Sequence, residues 1–361
     1  MADRVRTVLG QIVASVLTLS FASGCGSDDG GTPEQGCESL TEYPGDCMRL
    51  QAPDPDEGLQ LHYGPSSYTP EAMAPYVIQP GEEIVDILYL KSPNDKEIYF
   101  KEIATQLRPF GHHLVVGQAT RDLSDGLYRA DLPPLDFDIL LGATANSFGG
   151  PPDSQLVAPE DEGLATVLGP HKQIALNGHF LNTSDRPALR EAWVNLYYTD
   201  PSKVTGISAP LFFIGGIAMD VLPRSRQTIR ASAVADHDLR LVMLFGHFHS
   251  HTQRLTAYIK RQDSPEKELV YETYDYEAPA YIGYNSLIQT APPDRAAKVS
   301  GGTTGKLELK QGDTVEWECE VVNNDDFSLK WANQIDTAEM CSLFGSYTPA
   351  VDGKAWKVFH P

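Results

Sequence analysis

Short segments with strand character run through most of this chain, and they constrain its fold more than any other feature. Each is bounded by turn residues such as Gly, Pro and Asp, a pattern typical of β-strands. The segments lie at residues 84–91, 97–105, 112–119, 172–182, 191–199, 210–219, 227–233, 238–249, 254–261, 268–274, 306–310 and 313–322. Helix signals are scarce. The pattern predicts an all-β fold built as sandwiches or barrels.

A polar break, TDPSK at 199–203, divides these segments into two groups. With 361 residues the chain is long enough for two domains. We therefore predict two tandem β-sandwich domains, at 58–203 and 204–361. The formal net charge is -21 and no basic patch is visible, which argues against binding to nucleic acid or to an anionic lipid surface.

Residues 1–24 have the features of an export signal. Arg4 and Arg6 precede VLGQIVASVLTLSFASG, which is too short and too often interrupted by polar residues to span a bilayer. A small residue then precedes Cys25, as in lipoprotein processing, so we predict a lipidated Cys25 with simple secretion as the alternative. Residues 25–57 would form a flexible tether and N-terminal segment. We expect a periplasmic or outer-membrane location through the lipid anchor, or otherwise a secreted chain.

Export also bears on the remaining cysteines, Cys37, Cys47, Cys319 and Cys341. An even number of cysteines in an exported chain favours two disulfides, and four cysteines allow three connectivities. Among these we favour a Cys37–Cys47 bridge. A zinc site is the weaker alternative, because CxxC spacing is absent from these cysteines.

Histidines are concentrated in three strand-like segments, each next to a glycine. They are His112, His113, His179, His247, His249 and His251. A lone histidine on a strand is usually a satisfied core residue, but three occurrences favour a metal, for which neutral imidazole is a common ligand. Alternate residues share one face of a strand, so the last three would lie together. Adjacent His112 and His113 diverge in a regular strand, and could bind one metal only at a strand end or bulge, or through different ring nitrogens.

The neighbours of these histidines bear on which metal they would hold. Carboxylates are absent beside them in sequence, so a zinc or iron site with a carboxylate ligand finds no local support. A thioether would favour copper, because soft sulfur binds Cu(I). The candidates are Met219, Met243 and Met340; Met243 shares strand parity with His247, and Met340 lies in DTAEMCSLFGSY.

Taken in order, these motifs resemble the copper type II, ascorbate-dependent monooxygenases, which include peptidylglycine α-hydroxylating monooxygenase and dopamine β-hydroxylase. The matching pieces are His-His at 112–113, a single His at 179 ahead of LYYT, His-x-His at 247–249 and Glu-Met-Cys at 339–341. The resemblance covers residues 58–348. It implies two jelly-roll-like β-sandwiches whose two coppers face each other across an open, solvent-filled cleft.

The resemblance also implies residue roles. One copper, for electron transfer, would be held by His112, His113 and His179. The other, where O2 binds and a C–H bond is hydroxylated, would be held by the catalytic set His247, His249 and Met340. The family uses an external reductant such as ascorbate, and its Cys319–Cys341 equivalent is a disulfide ending beside the ligand Met. His251 receives no role and is interpreted as a polar residue at a strand end.

The positions that would contact substrate depart from the family pattern. In the peptide-hydroxylating branch an Arg two places before His-x-His helps to clamp a carboxylate, and here that position is Phe245. Ser342 and Phe344 follow the Met-Cys pair. Without a guanidinium the bidentate carboxylate contact is lost. We therefore expect a small, neutral or apolar substrate in a pocket that includes Phe245, Ser342 and Phe344.

Two other functions remain open from the sequence. An exported copper carrier or sensor without turnover would use the same six ligands. A structural or adhesion module would bury the histidines without metal. Metal content separates the structural module from the other two, and substrate-dependent O2 consumption separates the enzyme from the carrier.

Overall fold

The computed structural model describes residues 39–119, 123–130, 137–143, 156–157, 163–276, 279, 281–283, 306–351 and 356–359. Within these ranges the regular structure is almost entirely β. Helix is limited there to α1 (Pro70–Met73) and to 3-10 turns at Asp46–Met48, Ala74–Tyr76 and Pro201–Lys203. The predicted all-β fold is confirmed.

Strands of the first half form three sheets. In chain order they are β1 (Gly58–Tyr63), β2 (Val77–Ile78), β3 (Glu83–Lys91), β4 (Ile98–Leu107), β5 (Gly111–Ala119), β6 (Gly126–Arg129), β7 (Phe137–Ala143), β8 (Leu156–Val157), β9 (Leu164–Leu168), β10 (Gln173–Leu181), β11 (Ala188–Leu189), β12 (Ala192–Tyr198) and β13 (Gly206–Ile207). One sheet has the order β1-β12-β4-β9-β13 with β8 beside β4, the second has the order β6-β3-β10-β5-β7, and β11 pairs with β2.

The two larger sheets of the first half enclose its main core. Apolar side chains at alternate positions, such as Phe100 of β4 and Leu114 of β5, fill the space between the sheets. Strand β10 lies in the middle of its sheet and is buried on both faces. Leu176 faces the core, whereas Ala175 packs on the opposite face. His179 has the parity of Ala175, so it lies on the face turned away from the core.

Strands of the second half form three further sheets. They are β14 (Ala209–Gly215), β15 (Asp220–Val221), β16 (Ser225–Val234), β17 (Leu239–Phe248), β18 (Thr252–Lys260), β19 (Lys267–Thr273), β20 (Tyr281–Gly283), β21 (Leu307–Leu309), β22 (Thr314–Asn323), β23 (Leu329–Lys330), β24 (Cys341–Thr348) and β25 (Lys357–Phe359). One sheet has the order β14-β24-β17-β20 with β21 beside β17, another has the order β19-β18-β22-β16-β25, and β15 pairs with β23.

The second core lies between the two larger sheets of this half. Trp317 of β22 stacks on Phe213 of β14, with ring centroids 5.4 Å apart. Its indole Nε1 donates to the carbonyl of Cys341 at 3.0 Å, so the buried indole is satisfied. This contact joins the two sheets directly beneath the start of β24.

The described sheets each draw their strands from one half of the chain. The change of sheet falls at Ser208, because β13 still pairs with β9 while β14 pairs with β24. The pairing of strands thus changes a few residues after the predicted boundary at 203–204. The described residues all fall within one compact unit, Glu38–Pro361, and a division into two separate domains stays a prediction.

The predicted export signal, Cys25 and Cys37 lie outside the described residues. Among the residues that the structure does describe, none belongs to a helix long and apolar enough to cross a membrane.

Candidate metal site

A β-bulge brings the adjacent His112 and His113 into one site. His113 pairs with His179 of β10, but the next pair joins Gly111 to Phe180, so His112 is the extra residue. Gly111 is needed at the start of this bulge, since a Cβ there would lie 2.5 Å from the Leu107 side chain. From the sequence, we expected that His112 and His113 could bind one metal at a strand end or bulge, or through different ring nitrogens. The bulge meets the first of these conditions.

His179 completes a set of three on the outer face of this sheet. Its ring centroid lies 5.2 Å from that of His112 and 5.0 Å from that of His113. One ligand nitrogen from each of the three residues lies within 4.8 Å of the others. The structure thus brings together the three histidines predicted as the first ligand set.

His247 and His249 reach the same place from the end of β17. Their ring centroids are 5.5 Å apart, and His247 lies 4.9 Å from His113. His249 lies 6.1 Å from His112. We call His112, His113, His179, His247 and His249 the histidine cluster. Its members are between 0% and 8% exposed. The two ligand sets therefore adjoin, and the described residues show no open cleft between them of the kind that the family resemblance implies.

Burial keeps four members of the histidine cluster neutral: His112, His113, His247 and His249. Desolvation, reinforced by the neighbouring imidazoles, lowers the pKa of His112, His113 and His247 well below the usual value. Desolvation and the nearby His179 lower the pKa of His249 to about 3. At neutral pH these imidazoles therefore carry free lone pairs, which is the form that binds metals.

A carboxylate partner distinguishes the described histidines outside the cluster from every cluster member except His179. Each of the other four described histidines lies beside a carboxylate, in the pairs His62–Glu191, His171–Asp95, His237–Asp236 and His251–Asp325. Strand β17 ends at Phe248 and a turn follows, so His251 leaves the face that it would share with His247 in an extended strand. His251 thus lies outside the cluster.

Several buried nitrogens of the cluster lack a hydrogen-bond partner among the described residues. They are Nε2 of His112, Nδ1 of His113, Nδ1 of His179 and Nε2 of His249. A buried polar atom left unpaired costs about 1–3 kcal/mol. The unpaired atoms of His112 and His113 are different ring nitrogens, which is the second condition noted from the sequence. A metal ion would satisfy these atoms, so the residues present fit a metal site.

Glu339 links the backbone of Met340 to the backbone of His249, a member of this cluster. The buried Glu339 carboxylate accepts the backbone N–H of His249 at 2.6 Å and that of Met340 at 2.7 Å. Burial raises the pKa of Glu339 to about 7, although these two donors oppose the rise. One carboxylate oxygen thus holds the main chains of His249 and Met340 together.

The predicted Cys319–Cys341 disulfide is present, with its Cα atoms 5.9 Å apart. It fixes the residue directly after Met340 to β22 of the opposite sheet. Cys47 is also disulfide-bonded, but Cys37, its predicted partner, lies outside the described residues, so that pairing stays a prediction.

The predicted substrate-pocket residues adjoin His247. Phe344 stacks on the His247 ring with centroids 5.7 Å apart, and Phe245 meets Phe344 edge to face at 5.4 Å. Ser342 pairs with His247 in the register of β24 and β17. Phe245 and Phe344 pack with Phe212 and Met243 in what we call the apolar cluster. Within the apolar cluster Phe245 and Phe344 are buried, whereas Phe212 and Met243 are partly buried.

The two other candidate thioethers have different environments. Met243 is partly buried within the apolar cluster. Met219 packs in the main core of the second half. Met243 therefore remains the alternative to Met340 as the thioether ligand, whereas Met219 is a core residue.

Glu83 is a site residue that the sequence did not indicate. Its Oε1 lies 2.8 Å from Nε2 of His179, although the two residues are 96 positions apart. The same oxygen accepts the backbone N–H of Ile335 at 3.0 Å. Burial alone would raise the pKa of Glu83, but the hydrogen bonds from His179 and Ile335 lower it on balance. A local motif could not reveal this residue, because only the pairing of β3 with β10 brings it near His179.

Comparison with known families and with characterised proteins finds no match to this chain. Among solved structures, similarity is found to the structure of PNGF-II in a P21 space group, at 10% sequence identity and a TM-score of 0.25. The alignment covers 84% of this chain and 64% of that chain, which is less than two thirds of the latter. A similarity of this size supports no conclusion about fold or function.

Proposed function

We propose that this protein is an exported, lipid-anchored copper-dependent monooxygenase. It hydroxylates a C–H bond of a small, neutral or apolar substrate with O2 and an external reductant such as ascorbate. His112, His113 and His179 hold one copper, and His247, His249 and Met340 hold the other. The substrate, O2 and an electron donor are its partners.

The observation that carries the proposal is the convergence of buried, unpaired imidazole nitrogens from β5, β10 and the end of β17. Four such atoms within the histidine cluster lack hydrogen-bond partners in the described part of the chain. Burying these atoms without a partner is unfavourable, and a bound metal ion would satisfy them. Copper, when bound, supplies one-electron redox chemistry and activation of O2.

The protein's own residues prepare the two ligand sets differently. The first set consists of imidazoles alone. The second adds the thioether of Met340, a soft ligand that favours the reduced metal, and Glu339 holds the Met340 backbone against that of His249. This difference supports the assignment of electron transfer to the first set and of reaction with O2 to the second.

The apolar cluster supports a neutral or apolar substrate. A molecule that approaches His247 beside Phe344 meets aromatic carbon, and Phe245 cannot form the charged fork that an Arg would offer a carboxylate. Binding there would be driven by burial of apolar surface.

A copper carrier or sensor is the second candidate. The five imidazoles are 0–8% exposed and Phe245 and Phe344 are buried, which also suits a protein that retains copper without turnover. The same ligands would serve both functions.

Copper analysis followed by a substrate screen tests the proposal. The purified protein should contain two coppers per chain and should consume O2 with ascorbate only when an accepted neutral substrate is present. Two coppers without substrate-dependent O2 consumption across a broad apolar screen would favour the carrier. Copper-free protein after incubation with Cu(I) would exclude both functions.

A further inference from the structure

Glu83 is the only carboxylate within the described residues that forms a salt bridge with the histidine cluster. It lies at the start of β3, on the same sheet as His179, with its side chain 24% exposed. An ionised carboxylate can only accept hydrogen bonds. The 2.8 Å contact from Oε1 of Glu83 to Nε2 of His179 therefore requires that Nε2 carries the proton.

This tautomer decides which nitrogen of His179 is free. With the proton on Nε2, the lone pair lies on Nδ1, and Nδ1 is the buried atom that lacks a partner in the described structure. His179 also belongs to the group whose ligand atoms lie within 4.8 Å of one another. A carboxylate partner on the second nitrogen both fixes the ring and makes the free nitrogen more basic.

Glu83 also connects the two halves of the chain. The oxygen that contacts His179 accepts the backbone N–H of Ile335 at 3.0 Å. Ile335 is buried and lies shortly before Met340 in the chain. Between these two residues, the Ala338 carbonyl contacts Nδ1 of His249 at 3.3 Å. One oxygen atom thus joins a residue of the first ligand set to the segment that leads to the second.

We propose that Glu83 is a positioning residue of this site. It fixes His179 as the Nε2–H tautomer, with Nδ1 directed to the metal position, and it holds the segment before Met340 against the first ligand set. The metal-binding part of this inference rests on the proposed function, whereas the tautomer can be measured without metal.

The test compares Glu83→Ala and Glu83→Gln with the control Glu82→Ala. Glu82 is the adjacent, exposed residue, and its carboxylate accepts the Gln79 N–H outside the cluster. Two-bond ¹H–¹⁵N spectra of the metal-free protein report the His179 tautomer, and competition with a chromophoric chelator reports Cu(I) affinity. The side-chain amide oxygen of Gln can still accept the Nε2–H, so it should preserve the tautomer.

We expect the Nε2–H tautomer of His179 in the wild type, in Glu83→Gln and in Glu82→Ala, and a mixture of tautomers in Glu83→Ala. Cu(I) affinity should fall by about 10–100-fold in Glu83→Ala and by less in Glu83→Gln. An Nδ1–H tautomer in the wild type would overturn the proposal, even if Glu83→Ala failed to fold. So would unchanged tautomer and affinity in a folded Glu83→Ala. A wild type that binds no copper but shows the Nε2–H tautomer would refute the proposed function and the metal-binding part of this inference, while upholding the tautomer assignment.

Discussion

His113 and His247 lie edge to face, with ring centroids 4.9 Å apart and an interplanar angle of 87°. The first belongs to β5 and the second to β17, strands that share no sheet. This contact is as short as those within the first ligand set. The two proposed copper sites are therefore neighbours in this structure. A substitution at one site should alter copper binding at the other.

This contact predicts energetic coupling between the two residues. In a double-mutant cycle on Cu(I) affinity, His113→Ala and His247→Ala should deviate from additivity by at least about 0.5 kcal/mol, as residues in contact do. The cycle of His113→Ala with His251→Ala is the control and should be additive, because His251 lies outside the cluster. Strict additivity for the first pair would show that the two sets are separated in solution.

Removal of His179 should cost one copper. In His179→Ala we expect the copper content to fall from two per chain to one while the chain stays folded, because only the first ligand set loses a member. Metal analysis and circular dichroism measure the two quantities. His171→Asn, at an exposed position with φ 50° that Asn tolerates, is the matched control. Retention of both coppers in His179→Ala would refute the ligand assignment.

Met340 should be the ligand to which turnover is most sensitive. Met340→His retains a ligand at the position but replaces soft sulfur by a harder nitrogen, which favours Cu(II) and hinders reaction with O2. Copper content should change little while hydroxylation of any accepted substrate collapses. Turnover is measured beside copper loading in the same preparations.

Met243→Leu tests the alternative thioether ligand and is compared directly with Met340→His. Met243 packs in the apolar cluster, so a swap of similar volume should cost less than about 1.5 kcal/mol and leave copper bound. The opposite pattern, with Met340→His active and Met243→Leu depleted of copper, would identify Met243 as the ligand.

The Cys319–Cys341 bridge should stabilise the second half and position Met340. Replacement of both residues by Ala should lower the free energy of unfolding by about 2–4 kcal/mol, measured by urea denaturation. Copper should be lost preferentially from the second ligand set, because Cys341 follows Met340 directly. Peptide mapping under non-reducing conditions tests the other bridge, and a Cys37–Cys341 linkage would contradict Cys37–Cys47.

Metal-free protein should lose stability as the pH falls below about 6.5, the ordinary pKa of histidine in an unfolded chain. The folded pKa values of His112, His113, His247 and His249 are lowered, so the unfolded chain binds more protons below that pH. Each such histidine adds a slope of about 1.4 kcal/mol per pH unit. Denaturation of His113→Asn should show a shallower slope, and His171→Asn should keep the original one. A slope unchanged in His113→Asn would mean that this imidazole is not buried in the neutral form.

The sequence by itself determined the strand content and the candidate ligands. Alternation and turn residues are local, and they indicated β5, β10 and β17 because each has an apolar face of its own. The same pattern did not predict strand β24, although β24 pairs with both β14 and β17. Its segment, CSLFGSYT, mixes small, polar and aromatic residues, and its central position in the sheet is set by its two neighbours.

Only the tertiary structure decided how these residues meet. The bulge at His112 exists because the register between β5 and β10 shifts there, and a register belongs to two strands at once. Glu83 reaches His179, and His113 reaches His247, through pairing and packing of segments far apart in the chain. Such contacts form because whole sheets bury apolar surface against each other, and the free energy of that burial is the sum of many small contributions. A short segment of sequence contains only a small part of this sum, so it cannot predict the contacts.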